Sequence, residues 1–185
     1  MTEEELIAGC RQKDQKAFKV LYNQYAGLLY GIAIRYASNN KEAEDVLQDT
    51  FIKVFQNIDS YTNSGSFIGW IKRILVNTAI NSYRNAYNRN IETKEEIYSF
   101  PLYDENDVFD NLAEEDLLKI LDRLPDGYKM VFNLYVIEGN KHHEIAEILN
   151  ITEGTSKSQL SKARKLLQRM IKKTGIIPDF IIEGP

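Results

Sequence analysis

The stretch that most constrains this chain is Lys141–Lys173, KHHEIAEILNITEGTSKSQLSKARKLLQRMIKK. It holds two helical periodicities separated by three residues. Ile145, Ala146, Ile148 and Leu149 share one face of a short helix, and Asn150-Ile151-Thr152 turns the chain, with Thr152 placed to cap the next helix. In that second helix Leu160, Ala163, Leu167 and Met170 recur at steps of three and four, so they point inward. Lys157, Ser158, Ser161, Lys162 and Lys165 fall on the opposite face. Two helices joined by a short turn, the second with a basic, small-residue outer face, form the helix-turn-helix layout of a major-groove reader. The same pattern also suits a packing hairpin with a hydrated basic face. The residues upstream separate the two.

A formal net charge of −4 argues against nucleic acid until it is split along the chain. Residues 91–116 hold ten acidic side chains and one basic, whereas residues 117–173 hold eleven basic and six acidic. The acid is concentrated in the middle, with mildly basic segments on either side. With 43% hydrophobic residues, four prolines and ten glycines, the chain as a whole has a composition ample for helical cores. The N-terminal MTEEEL lacks the layout of a signal peptide, the apolar runs are too short for a membrane span, and Cys10 is alone. These features lead to the expectation of a cytoplasmic protein without membrane insertion, with Cys10 as a small buried hydrophobe.

Residues 3–38 read as two helices, with Leu6, Ile7 and Cys10 on the first apolar face. Phe18, Leu21, Tyr22, Tyr25, Leu28, Leu29, Ile32 and Tyr36 form the next. Ser38-Asn39-Asn40 breaks the pattern and can cap the helix of residues 41–58. That helix carries Ala43, Val46, Leu47, Thr50, Phe51, Val54, Phe55 and Ile58 on one side and Asp45, Gln48, Asp49 and Lys53 on another. Taken alone, its acidic face is that of any hydrated helix. After a polar loop, a further helix has Phe67, Trp70, Ile71, Ile74, Leu75 and Thr78 on its apolar side. Between Asp59 and Glu92 there is no acid, while Lys72, Arg73, Arg84 and Arg89 are interleaved with Tyr61, Phe67, Trp70, Tyr83 and Tyr87 and with Asn77, Asn81, Asn85 and Asn88. Cations hold phosphates, aromatics stack on unpaired bases and Asn reads base edges. Asn is a poor helix former, which suggests these side chains serve something other than the helix.

Residues 91–113 show little helical periodicity and read as a flexible acidic linker. Fully extended, such a segment reaches about 75 Å. Residues 114–139 form two more helices, with Leu117, Leu118, Leu121 and Leu124 as a stripe and Pro125-Asp126-Gly127 as the turn between them. Tyr128, Val131, Phe132, Tyr135 and Val136 are expected to pack over the helix-turn-helix, and Glu138-Gly139-Asn140 closes that helix. The expected architecture is all-α: two small helical domains, 1–90 and 114–173, a linker 91–113 and an apolar tail 174–185.

Four stretches in order, AEDVLQDTFIKVF, SYTNSGSFIGWIKRILVNTAIN, LPDGYKMVF and EIAEILNITEGTSKSQLSKAR, resemble the extracytoplasmic-function group of bacterial sigma factors. The resemblance runs from about Asp14 to Met170. It implies that residues 1–90 are sigma region 2 and residues 114–173 sigma region 4. Asp45, Gln48 and Asp49 match positions that dock on core RNA polymerase. Tyr61, Ser66, Phe67, Trp70, Asn77 and Asn81 match positions that open the −10 promoter element and hold a flipped base, with Lys72, Arg73 and Arg84 for phosphates. Thr155, Lys157, Ser158, Ser161, Lys162 and Lys165 would meet the −35 element in duplex DNA, Thr155 near the helix start, where backbone N–H groups favour phosphate. The linker's reach suits two DNA elements about 70 Å apart. Anti-sigma factors are common in the group, so the resemblance admits one as a further partner. Two departures stand out. Ser156 replaces the family's usual inward Val, implying looser packing or a bond back to a carbonyl. Gln159 replaces a common Arg, removing one guanine or phosphate contact and favouring adenine.

The main rival is a stand-alone helix-turn-helix transcriptional regulator, which would usually bind as a dimer. A protein-only helical adaptor is another. An enzyme is not expected, since GxxxxGK, G-x-S-x-G and H-E-x-x-H are all absent from the sequence. No cofactor or metal is expected either, because the adjacent His142 and His143 point in different directions on a helix.

Overall fold

The computed structural model describes residues 1–62, 65–92 and 120–173. The chain divides into two compact units, Met1–Tyr87 and Asn88–Pro185. The described residues form helices and turns with no strand, and no helix among them is long and apolar enough to cross a membrane.

The first unit begins with α1, Glu3–Arg11, closed by a capping box. The Thr2 hydroxyl accepts the Glu5 N–H at 3.2 Å, and the Glu5 carboxylate accepts the Thr2 N–H at 2.8 Å. Leu6, Ile7 and Cys10 are buried, as their spacing requires. Asp14 caps α2, Gln15–Ile34, by accepting the Lys16 N–H at 3.0 Å. The two helices meet at Gly9, where a Cβ would lie 2.7 Å from the Cβ of Ala17, so the close approach requires glycine. Along α2 the buried residues are Ala17, Leu21, Tyr25, Leu29, Ile32 and Ala33. Tyr22 and Leu28, expected in that face, are exposed at its margin, because the buried stripe is narrower than the apolar one. Tyr22 still covers Phe51, with ring centroids 4.8 Å apart.

Asn39 caps α3, Asn40–Asn57, by accepting the Glu42 N–H at 2.9 Å. Ala43, Val46, Leu47, Thr50, Phe51 and Val54 are its buried face. Thr50 is tolerated there because its hydroxyl donates to the Val46 carbonyl at 2.7 Å. A short 3-10 turn, Ile58–Ser60, leads to α4, Phe67–Glu92. Helix α4 buries Phe67, Ile71, Leu75 and Thr78 and is tied to both ends of α3. Lys53 Nζ donates to Thr78 Oγ1 at 3.0 Å, and Ser82 Oγ donates to Glu42 Oε1 at 3.1 Å. Lys53 therefore faces α4 rather than the acidic surface with which its spacing had grouped it.

In the second unit residues 120–122 are helical, and Pro125 precedes α5, Asp126–Phe132. The Pro125 carbonyl accepts the N–H groups of Tyr128 and Lys129 at 2.8 and 2.9 Å. A π-helical turn, Asn133–Ile137, comes next, marked by a bond of 3.1 Å from the Glu138 N–H to the Asn133 carbonyl. This turn corrects an expectation. Val136 was expected to pack inward but is 49% exposed, while Leu134 is buried. The wider turn rotates every later side chain relative to a 3.6-residue period. Gly139, at φ 74°, then ends the segment.

Helix α6, His142–Leu149, ends in Asn150 in the left-handed conformation. Helix α7, Glu153–Lys173, starts after Thr152, whose hydroxyl accepts the Thr155 N–H at 3.0 Å. The core joins Ile120, Leu124 and Tyr128 to Ala163 and Leu167 of α7, with Leu121, Phe132, Leu166, Met170 and Ile171 packed around it. Burying a large apolar side chain contributes about 1.5–3 kcal/mol. Lys129 is also buried, its ammonium 3.2 Å from Asp122 Oδ1. Leu117, Leu118, the tail 174–185 and all of the expected linker but residues 91 and 92, which end α4, lie outside the described residues.

Candidate nucleic-acid interface

Three side-chain surfaces contain the residues singled out by sequence. On α3, Asp45, Gln48 and Asp49 are all exposed, together with Glu44. Ile52, one turn beyond Gln48 and Asp49 on the same side, is 51% exposed, an apolar patch beside the acids. Such a face offers a carboxylate pair flanking an apolar contact, a combination suited to a basic helical partner.

On α4 the structure divides the expected set. Tyr61 and Phe67 are buried, Phe67 completely, so their rings do not contact a ligand in this conformation. They support Trp70 instead. The Trp70 ring lies 5.5 Å from Tyr61 and 5.9 Å from Phe67, the latter nearly parallel. Tyr61 is held by its hydroxyl donating to the Gly65 carbonyl at 2.8 Å, and the Arg11 guanidinium donates to its main-chain carbonyl. Ser66 is exposed and its hydroxyl accepts the Gly69 N–H at 3.3 Å, so it caps the start of α4. Beyond it, Arg73, Asn77 and Asn81 are exposed or nearly so, and Trp70 and Arg84 are half-buried. Their spacing of three and four places these five on one stripe. Lys72, also half-buried, stands on the opposite flank of the buried face and does not join them. The stripe presents one large aromatic, two amides and two cations, the groups that stack on bases, read their edges and hold phosphates.

On α7, Lys157, Ser158, Ser161, Lys162 and Lys165 are exposed, opposite buried Leu160, Ala163 and Leu167. Thr155 is half-buried, and its hydroxyl lies 2.8 Å from Thr152 Oγ1. It belongs as much to the helix cap as to the outer face. Ser158 Oγ donates to the Thr155 carbonyl at 3.0 Å. Gln159 is half-buried, at the edge of the face.

Ser156 finds a partner other than the helix carbonyl expected for it. It is 0% exposed, and its Oγ lies 3.0 Å from His142 Nδ1 at the start of α6. The bond goes across the turn rather than back to a carbonyl. Tyr135 stacks on His142 with centroids 4.6 Å apart, and the Arg164 guanidinium lies 5.6 Å from the Tyr135 centroid. Sequence reasoning missed His142, Tyr135 and Arg164 as a group because they belong to three different elements. It also missed Glu153, whose carboxylate is 2.7 Å from Lys157 Nζ. The Glu–Lys spacing of four residues is a signal that could have found that pair. The Lys157 hydrogen bond, then the Lys157 charge, holds the Glu153 carboxyl below its ordinary range, with His143 and His142 adding to the effect.

Two family models match the chain. The family model Sigma-70 region 2 matches residues 21–89, and the model Sigma-70, region 4 matches residues 114–167. The ECF RNA polymerase sigma-E factor of Haemophilus influenzae is 30% identical over 184 residues, covering 93% of this chain and 96% of that protein. The ECF RNA polymerase sigma factor SigW of Bacillus subtilis is 29% identical over 181 residues, covering 90% and 95%. A solved structure of the sigma factor RpoE in complex with the anti-sigma factor NepR from Bartonella quintana is 27% identical. It covers 85% of this chain and 98% of that chain, with a TM-score of 0.48.

Proposed function

Because the chain belongs to the extracytoplasmic-function group of the sigma-70 family, and so is a non-enzymatic factor for transcription initiation, we propose a specific assignment of its three surfaces. The α3 face of Asp45, Gln48 and Asp49 docks on a basic element of core RNA polymerase. The α4 stripe of Trp70, Arg73, Asn77, Asn81 and Arg84 holds the melted strand of the −10 element. Helix α7 enters the major groove of the −35 element with Lys157, Ser158, Ser161, Lys162 and Lys165. The place of work is the cytoplasm, where the polymerase and the promoter are.

The observation that carries this reading is α7: five exposed polar residues on one face of a helix whose other face is buried, entered through a helix-turn-helix. Physically the division is sound. Opening a few base pairs costs several kcal/mol, and stacking returns roughly 1–3 kcal/mol per base on an aromatic such as Trp70. Sequence-specific anchoring by α7 keeps the melting surface over the right base pairs. Promoter-dependent run-off transcription with core polymerase tests it: the chain should direct transcripts that core alone does not make. Duplex binding without any such transcript would favour a stand-alone regulator.

A further inference from the structure

We propose that Glu153 sets the specificity of the α7 reading face: it holds the Lys157 ammonium and competes with DNA phosphates for it, so that Lys157 is kept for neutral base edges. The inference rests on the reading of α7 as a duplex-DNA reader. Its geometric basis is the 2.7 Å contact between Glu153 Oε1 and Lys157 Nζ, made one helical turn apart, with the two side chains 49% and 60% exposed. Both stand on the side of α7 that carries Ser158, Ser161 and Lys165 outward, so whatever Lys157 approaches, Glu153 approaches too.

The competition comes from charge. A phosphate drawn to Lys157 meets the Glu153 carboxylate a few ångströms away and is repelled by it. A guanine edge offers two neutral acceptors, O6 and N7, and meets no such repulsion. The ammonium has three donors, so it can serve the carboxylate and a base edge together. Phosphates are present at every position on DNA, whereas a guanine is in reach only at some. The pair therefore subtracts most from binding that carries no sequence information. The carboxylate remains ionised near neutral pH, since the Lys157 hydrogen bond and then its charge favour the charged form.

The test measures binding of the full chain to a short mixed-sequence duplex across a salt series. It compares wild type, Glu153→Gln, Lys157→Ala and the double variant. Glu153→Gln should bind about two- to fivefold tighter, the scale of an exposed ion pair. It should also steepen the log–log salt slope by about 0.9, one additional phosphate contact. In the Lys157→Ala background the same substitution should change neither. Selection from a randomised duplex pool should return a flatter base preference for Glu153→Gln than for wild type. Unchanged or weaker binding by Glu153→Gln, or an equal gain when Lys157 is absent, overturns the proposal. If wild type shows no salt-dependent binding and Lys157→Ala alters nothing, the DNA-reading assignment of α7 falls as well, a pattern distinct from the others. Equal thermal melts for wild type and Glu153→Gln establish that folding is not the cause of a change.

Discussion

His142 Nδ1 and Ser156 Oγ lie 3.0 Å apart, joining the first residue of α6 to a buried position in the first turn and a half of α7. A hydroxyl in a core costs stability unless it is bonded, and this one is bonded to the helix that precedes the turn. The two helices of the helix-turn-helix are thus joined by a polar contact in addition to their apolar packing.

Removing either partner should therefore cost more than its surface area suggests. Ser156→Ala and His142→Ala are each expected to lower stability by about 1–3 kcal/mol, since each strands the other group in a confined place. A double-mutant cycle by urea denaturation should show coupling of about 0.5–3 kcal/mol. Strictly additive losses would mean that the contact contributes nothing.

A second expectation concerns the helix crossing in the first unit. Gly9→Ala places a methyl 2.7 Å from the Ala17 Cβ, a contact that only backbone movement relieves. The cost should be about 1–3 kcal/mol in chemical denaturation. Adding Ala17→Gly should recover part of it, and no recovery would locate the strain elsewhere.

The acidic α3 face should separate polymerase binding from DNA binding. Asp49→Arg replaces an exposed carboxylate with a cation and is expected to weaken core-polymerase affinity about three- to tenfold. Binding to duplex DNA by the isolated chain should not weaken. Loss of both activities together, with a lowered melting temperature, would point to misfolding.

Lys162 and Lys165 are exposed on α7 and should each act as one phosphate contact. Lys162→Ala or Lys165→Ala should flatten the log–log salt slope of duplex binding by about 0.9. A weaker affinity with an unchanged slope would show instead that the side chain does not displace a counterion.

Cys10 supplies a pH dependence. Burial, and then the Asp14 charge, push its thiol up from 9.0 to about 11. Because the folded-state value is raised, the stabilisation from the neutral thiol is complete below pH 9 and is lost as pH rises towards about 11. Denaturation midpoints should fall across that window in wild type more than in Cys10→Ala. Alkylation at about pH 8 should be slow in the folded chain and fast in urea, and equal rates would contradict the buried thiol.

Much of this molecule was legible in the amino-acid order. The boundaries of α2, α3, α6 and α7 come from Asp14, Asn39, Asn150 and Thr152, whose side chains or backbone end and start helices by local chemistry. The exposed face of α7 comes from periodicity, which depends only on residues three and four apart. What tertiary structure decided lies beyond that range. Val136 is exposed within a π-helical turn, where the bond from Glu138 to Asn133 departs from the period that the pattern assumes. Phe67 and Tyr61 became the support beneath Trp70 because the fold brings the loop ring and the helix rings together. Lys129 was buried against Asp122, and Ser156 was satisfied by His142, fourteen residues earlier. Composition names the groups that can bond or stack, and local spacing names the face they stand on. Which group meets which across a turn depends on how the helices pack, and that is a property of the whole fold.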